Sequence, residues 1–106
     1  MIGEGKVEYK VPGGKMVKIS LLAKNGTILD LKIAGDFFMY PEEALFRLEA
    51  HLKGKGIRSL PKAINEYLEK RRVKLLGVTA EDLAKAINLA YERAKIKEIK
   101  AEFRII

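Results

Sequence analysis

The stretch Gly35-Asp36-Phe37-Phe38-Met39-Tyr40-Pro41-Glu42 divides the chain into a strand-forming half and a helix-forming half. Upstream, Ile28-Leu29-Asp30-Leu31-Lys32-Ile33 reads as a largely buried strand, apolar with polar interruptions; downstream, Pro41-Glu42-Glu43 opens a segment of helical spacing. Residues 35–40 are therefore read as a junction loop. Phe37, Phe38, Met39 and Tyr40 are four bulky neighbours, and an extended chain turns successive side chains to opposite faces, so one core does not take them all. At least one is expected to face a partner or ligand. Asp36 lies too far ahead of Pro41 to cap the helix that begins there and shows no structural duty in the sequence.

Working back from the junction, Val7, Tyr9 and Val11 alternate with Glu8 and Lys10, and Pro12-Gly13-Gly14-Lys15 follows as a turn. A second strand, Lys15 to Lys24, places Val17, Ile19, Leu21 and Ala23 on one face. Asn25-Gly26 then supplies a two-residue hairpin turn, which requires positive φ at both positions. The result is an antiparallel meander over residues 6–35 whose single apolar face calls for a covering layer of helices.

Working forward, Ala44, Leu45, Leu48 and Leu52 recur at helical spacing before Gly54, with Glu42 and Glu43 suited to the helix N-terminus. Leu60, Ile64, Tyr67 and Leu68 line a second helix with Ser59 as its expected N-cap. Thr79 with Glu81 and Asp82 opens a third, striped by Leu83, Ala86, Ile87, Ala90, Tyr91 and Ala94. Residues 71–78 read as an ordered connection. In the tail, 96–106, Ala101, Phe103 and Ile105 alternate with Glu102 and Arg104, and a short final strand is expected. The fold class is α+β, a three-stranded meander followed by about three helices on one face, all in a single domain spanning 1–106 with helices over 41–95.

Of the 106 residues none is cysteine, which excludes disulfides, thiolate metal sites and cysteine nucleophiles. No apolar run approaches the roughly 18 residues of a membrane span, and the N-terminus lacks the apolar region of a signal peptide, so a cytoplasmic protein is expected. The abundance of Lys, Glu and Arg with no Gln resembles hyperthermophile usage. The net charge of +7 favours anionic partners without choosing among them. His51 is the single histidine and is read as structural; Ser20 and Ser59 lack the setting of a nucleophile, and scattered carboxylates form no metal-ligand pattern. Gly13-Gly14-Lys15 lacks the spacer of a phosphate loop, yet a lysine beside two glycines is able to reach an anion on another chain. The basic runs Lys53–Arg58 and Lys70–Lys74 show no interleaved aromatic platform for nucleic acid.

In Tyr9-Lys10-Val11-Pro12-Gly13-Gly14-Lys15, Lys24-Asn25-Gly26-Thr27-Ile28, Ile33-Ala34-Gly35-Asp36-Phe37-Phe38, Glu42-Glu43-Ala44-Leu45, Leu52-Lys53-Gly54 and Leu76-Gly77-Val78-Thr79-Ala80-Glu81-Asp82-Leu83, the chain resembles the C-terminal accessory domain of lipoate-protein ligases. The archaeal arrangement, with this domain as a separate small subunit, fits best, and the match spans residues of about 7 to 90. The resemblance implies a fold similar to iron-sulfur scaffold proteins, in architecture only, since the cysteines are missing. It implies a non-catalytic subunit needed when a large catalytic subunit adenylates lipoate with ATP, before the lipoyl group passes to an acceptor-domain lysine. ATP, lipoate and magnesium are then expected on the partner, and none on this chain alone. The residues expected at the contact are Gly13, Gly14, Lys15, Gly35, Asp36, Phe37 and Phe38, with a phenylalanine as apolar anchor and Asp36 and Lys15 as polar determinants. Acidic acceptor lipoyl domains are expected as transient partners drawn by the positive charge. The alternative is a small basic nucleic-acid-binding protein, motivated by charge alone; a stand-alone ligase is disfavoured by the missing phosphate cradle.

Overall fold

Alternation in the first third of the chain produces three antiparallel strands in the order β1-β2-β3: β1 (Gly3–Lys10), β2 (Met16–Lys24) and β3 (Thr27–Gly35). The structure is a computed structural model that describes the backbone of residues 2–105 and the side chains of residues 2–96. Val7, Val17, Ile19, Leu21, Leu31 and Ile33 all turn to the buried face. Ile28 joins them although it lies three positions before Leu31, a spacing that a regular strand would put on the opposite face. A bulge at Leu29 resets the register, so that Leu22 pairs with Asp30 but Ala23 with Ile28. The expected tight turn is present, with φ of 51° at Asn25 and 80° at Gly26.

The helices are α1 (Ala44–Leu52), α2 (Leu60–Lys70), entered through a short 3-10 turn at Ile57–Ser59, and α3 (Ala80–Ile105). Leu48, Leu52, Leu60, Ile64, Leu83 and Ile87 close the core above the sheet. The longest of these helices, α3, lies directly on β1 and β2. Its backbone comes so close at Gly5 that a Cβ there would sit 2.8 Å from the carbonyl carbon of Ala90 and 3.0 Å from the amide nitrogen of Ala94. Alanines at 86, 90 and 94 give the helix the small face that this approach needs.

Each open edge of the sheet has some of its polar groups satisfied from outside the sheet. Arg93 donates from a guanidinium nitrogen to the Lys6 carbonyl at 2.6 Å on the β1 side. At the β3 edge the Glu49 carboxylate accepts the Ile33 amide at 2.7 Å, and Gly54, Lys55 and Ile57 exchange backbone bonds of 2.7–3.0 Å with Ile28 and Gly26. Such capping of edge groups limits pairing with other strands. Lys53, at 3.2 Å, is the main cause holding the Asp30 carboxyl below the ordinary carboxylate range, helped by the Leu31 amide. That contribution is present above the usual aspartate pKa and is lost as pH falls through the lowered one.

Four local expectations need correction. Residues 35–40 are not wholly loop: Phe38–Tyr40 form β4, which pairs antiparallel with β5 (Lys74–Leu76), inside what reads in sequence as a connection. Three-residue strands are too short for periodicity to announce them. Glu42 and Glu43 precede α1 instead of occupying its first turn, with Glu43 at the N-cap position. Ser59 bonds back to the Gly56 carbonyl at 3.0 Å and makes no side-chain cap. Finally, α3 runs to Ile105 where a short strand is expected; no glycine or proline interrupts residues 78–106, and Ala, Lys, Glu and Arg favour continuation. The N-cap expected at Thr79 is present, its hydroxyl accepting the Asp82 amide at 3.1 Å while Asp82 accepts the Thr79 amide at 2.8 Å.

The end of α2 carries a local cost. Arg72 has φ of 52°, with its amide bonded to the Glu69 carbonyl and the Val73 amide to that of Leu68. This is the left-handed C-terminal position that glycine fills best. Arg72→Gly should raise stability by about 0.5–1 kcal/mol, the relief of left-handed strain less the added freedom of the unfolded chain. Urea denaturation measures it.

Candidate functional site

Three segments far apart in sequence meet at one corner of the molecule. In the β1–β2 turn, Gly13 and Gly14 take φ of 104° and 109°, the Val11 amide donates to the Lys15 carbonyl at 2.7 Å, and the Gly14 amide donates to the Val11 carbonyl at 3.0 Å. Lys15 thus leaves the turn from a fixed backbone. Its aliphatic stem crosses Gly77, in the β5–α3 connection: a Cβ at Gly77 would lie 3.5 Å from the Lys15 Cγ, 3.6 Å from its Cε and 3.5 Å from the Phe37 Cβ. The turn, the junction and the β5–α3 connection therefore share one contact.

Asp36 has the structural duty that the sequence did not reveal. Its carboxylate accepts the Met16 amide at 2.6 Å, and its own amide donates to the Met16 carbonyl at 3.2 Å. The pair extends the β2–β3 ladder by one step, the side chain standing in for a backbone carbonyl. Gly35 fits beneath this clamp because a Cβ would overlap the Met16 carbonyl oxygen and lie 2.9 Å from the Phe37 ring.

The four bulky residues separate as their extended path requires. Met39 is buried and Phe37 is half-buried against the core, whereas Phe38 and Tyr40 face out, 71% and 68% exposed. Across the ribbon, Phe38 pairs with Leu76 and Tyr40 with Lys74. Phe38 also shares with Phe46 of α1 a groove of about 340 Å³, lined further by Ile33, Phe37 and Leu45. Tyr40 is one of the four bulky neighbours, whereas Phe46, Leu76 and Gly77 join the site from outside the expected set. Phe46 does carry a signal, since it lies off the Ala44, Leu48, Leu52 stripe and so must point away from the core; Leu76 has none until its pairing with Phe38 is seen.

His51 is exposed and stacks on Tyr67 with ring centroids 5.3 Å apart, while the Tyr67 hydroxyl donates to the Ala44 carbonyl at 3.3 Å. Its neighbours are those of a packing residue joining α1 to α2. Among the described residues no helix is long and apolar enough to cross a membrane.

A meander under three helices, with glycine-shaped contacts and exposed aromatics gathered at one corner, defines a small α+β module that offers a binding surface. The chain belongs to the lipoate protein ligase C-terminal family: the family model described as the bacterial lipoate protein ligase C-terminus matches residues 6–87. It is similar to lipoate-protein ligase A subunit 2 of Thermoplasma acidophilum, 32% identical over 74 residues that cover 70% of this chain and 78% of that protein. It also resembles a chain in the solved structure of an archaeal lipoylation system, a bi-partite lipoate protein ligase and its E2 lipoyl domain from the same organism. There the TM-score is 0.73 at 30% identity, covering 81% of this chain and 96% of that one.

Proposed function

We propose that this chain is the non-catalytic accessory subunit of a two-subunit lipoate-protein ligase, working in the cytoplasm and required for adenylation of lipoate by the large subunit. The observation that carries the reading is the corner itself, where Lys15, Asp36, Phe37 and Gly77 come together from the segments that carry the family resemblance. A rigid corner pressed against the catalytic subunit stabilises the closed conformation in which the lipoate carboxylate attacks the α-phosphorus of ATP and pyrophosphate leaves. Transfer of the lipoyl group to the acceptor lysine follows with release of AMP and depends less on this subunit. In this reading ATP, lipoate and magnesium are held by the catalytic subunit. The acceptor domain is met only in passing.

The test is reconstitution. Pyrophosphate release by the catalytic subunit should depend on this chain, and transfer from preformed lipoyl-adenylate should depend on it much less. Asp36→Ala should leave subunit association intact and lower the adenylation rate about tenfold, because the Met16 amide loses its acceptor and the corner loosens. Asp36→Asn keeps an oxygen facing that amide and should restore most of the rate. Adenylation by the large subunit at full rate without this chain overturns the assignment.

A further inference from the structure

The outward face of the β4–β5 ribbon joins two features that the sequence keeps apart. Phe38, Tyr40 and Leu76, at 71%, 68% and 59% exposure, lie side by side through the strand register, and Phe46, at 72%, stands across the adjoining groove. Phe38, Tyr40 and Phe46 are the most exposed aromatic side chains among the described residues. Contiguous apolar surface of this kind marks an interaction site.

The same ribbon carries a positive border. Lys74 pairs with Tyr40; Lys70 ends α2, and the turn that leads from it into β5 contains Arg71 and Arg72. Lys70, Arg71, Arg72 and Lys74 form no ion pair among the described residues, so their charge stays available to a partner, as does that of several other surface lysines. Unpaired cations next to an apolar centre fit a surface with apolar residues in the middle and carboxylates at the edge.

We propose that the β4–β5 face, with Phe46, is the docking surface for the catalytic ligase subunit, and that the matching patch on that subunit is apolar and bordered by Asp and Glu. This rests on the accessory-subunit reading and extends the contact from the corner onto the adjoining ribbon and groove, with the complementarity that this surface asks for. The two components act at different stages. Border charges steer encounter and so set the association rate, whereas desolvated aromatics hold the complex and set its dissociation rate.

Surface plasmon resonance with the lipoate-protein ligase catalytic subunit of the same organism separates them. Phe38→Ala and Tyr40→Ala should each speed dissociation about 30-fold with the salt dependence of association unchanged. Arg71→Glu combined with Lys74→Glu should slow association about tenfold and flatten its dependence on sodium chloride. All four side chains are exposed, so melting temperatures should stay near that of the parent and serve as the folding control. If the parent chain forms the complex and these variants match its rates, this inference falls while the accessory-subunit reading stands. If the parent chain forms no complex and adenylation proceeds without it, the reading itself falls. Binding of a random-sequence RNA as tightly as the subunit, weakened by the same substitutions, would assign the face to nucleic acid and overturn the inference.

Discussion

Gly5→Ala is expected to lower stability by about 3 kcal/mol or more, toward the upper end of overpacking effects. The added methyl would overlap the carbonyl oxygen of Ala90 and press on the amide nitrogen of Ala94, 3.0 Å away. Both are main-chain atoms of α3, so no side-chain rotation makes room. The helix must lift from β1, and with it Leu83, Ile87 and Ala90, which are fully buried, lose their packing on the sheet. For a domain of about this size each kcal/mol moves the melting midpoint by roughly 4–8 °C, so a fall of about 12 °C or more should appear in a thermal scan. A second variant isolates the cause. Ala90→Gly in the Gly5→Ala background should not restore stability, because it removes a Cβ and leaves the offending carbonyl in place. Rescue by that change would show that the helix–strand contact is not made through the backbone.

Nothing in the sequence singles out Gly5, and the reason is physical. Its importance lies in the approach of a helix some 85 positions later, and periodicity reports which face a residue takes but not how near the next layer comes. Long elements were legible for the opposite reason. Val17, Ile19, Leu21 and Ala23, or Leu83, Ile87, Ala90 and Ala94, repeat a period often enough that local pattern and tertiary burial agree. The bulge at Leu29 changes the phase of β3 without changing its composition, so the strand was visible and its register was not. β4 and β5 escape the sequence because each has three residues, and each exists only by pairing with the other across 33 intervening positions. In the tail, five alternating residues competed with the helix preference of Lys, Glu and Ala, and the preference prevailed.

The candidate site divides the same way. Gly35-Asp36-Phe37-Phe38 stood out because four bulky residues after a strand cannot all be buried, and the structure does send Phe38 and Tyr40 outward while keeping Met39 inside. Which phenylalanine faces out depends on the path from Gly35 to β4. That path is set by the Asp36–Met16 clamp, a contact between residues 20 apart that no local pattern encodes. Lys15 stands out in the sequence for its two glycines, but the residue against which its stem lies is Gly77, which joins the site only once α3 and β5 are placed.

The clamp also sets up the second large effect. Gly35→Ala should cost about 2 kcal/mol of stability and, in the reconstituted ligase, lower adenylation about 100-fold per folded molecule. A Cβ at residue 35 would overlap the Met16 carbonyl oxygen, the acceptor of the Asp36 amide at 3.2 Å, and would lie 2.9 Å from the Phe37 ring. Relief requires the end of β3 to swing away from β2, which breaks the Asp36–Met16 ladder step and displaces Phe37 from Lys15 and Gly77. Displacement of positioning groups by about 1 Å is enough to cost two orders of magnitude in rate. Comparison with Gly5→Ala separates stability from function. At a temperature where urea titration shows both variants folded, Gly5→Ala, remote from the corner, should support adenylation at nearly the parent rate, while Gly35→Ala should not. Equal rates for the two folded variants would mean that the corner merely closes the sheet. A selective loss at residue 35 would tie adenylation to the geometry that Gly35, Asp36 and Gly77 jointly maintain.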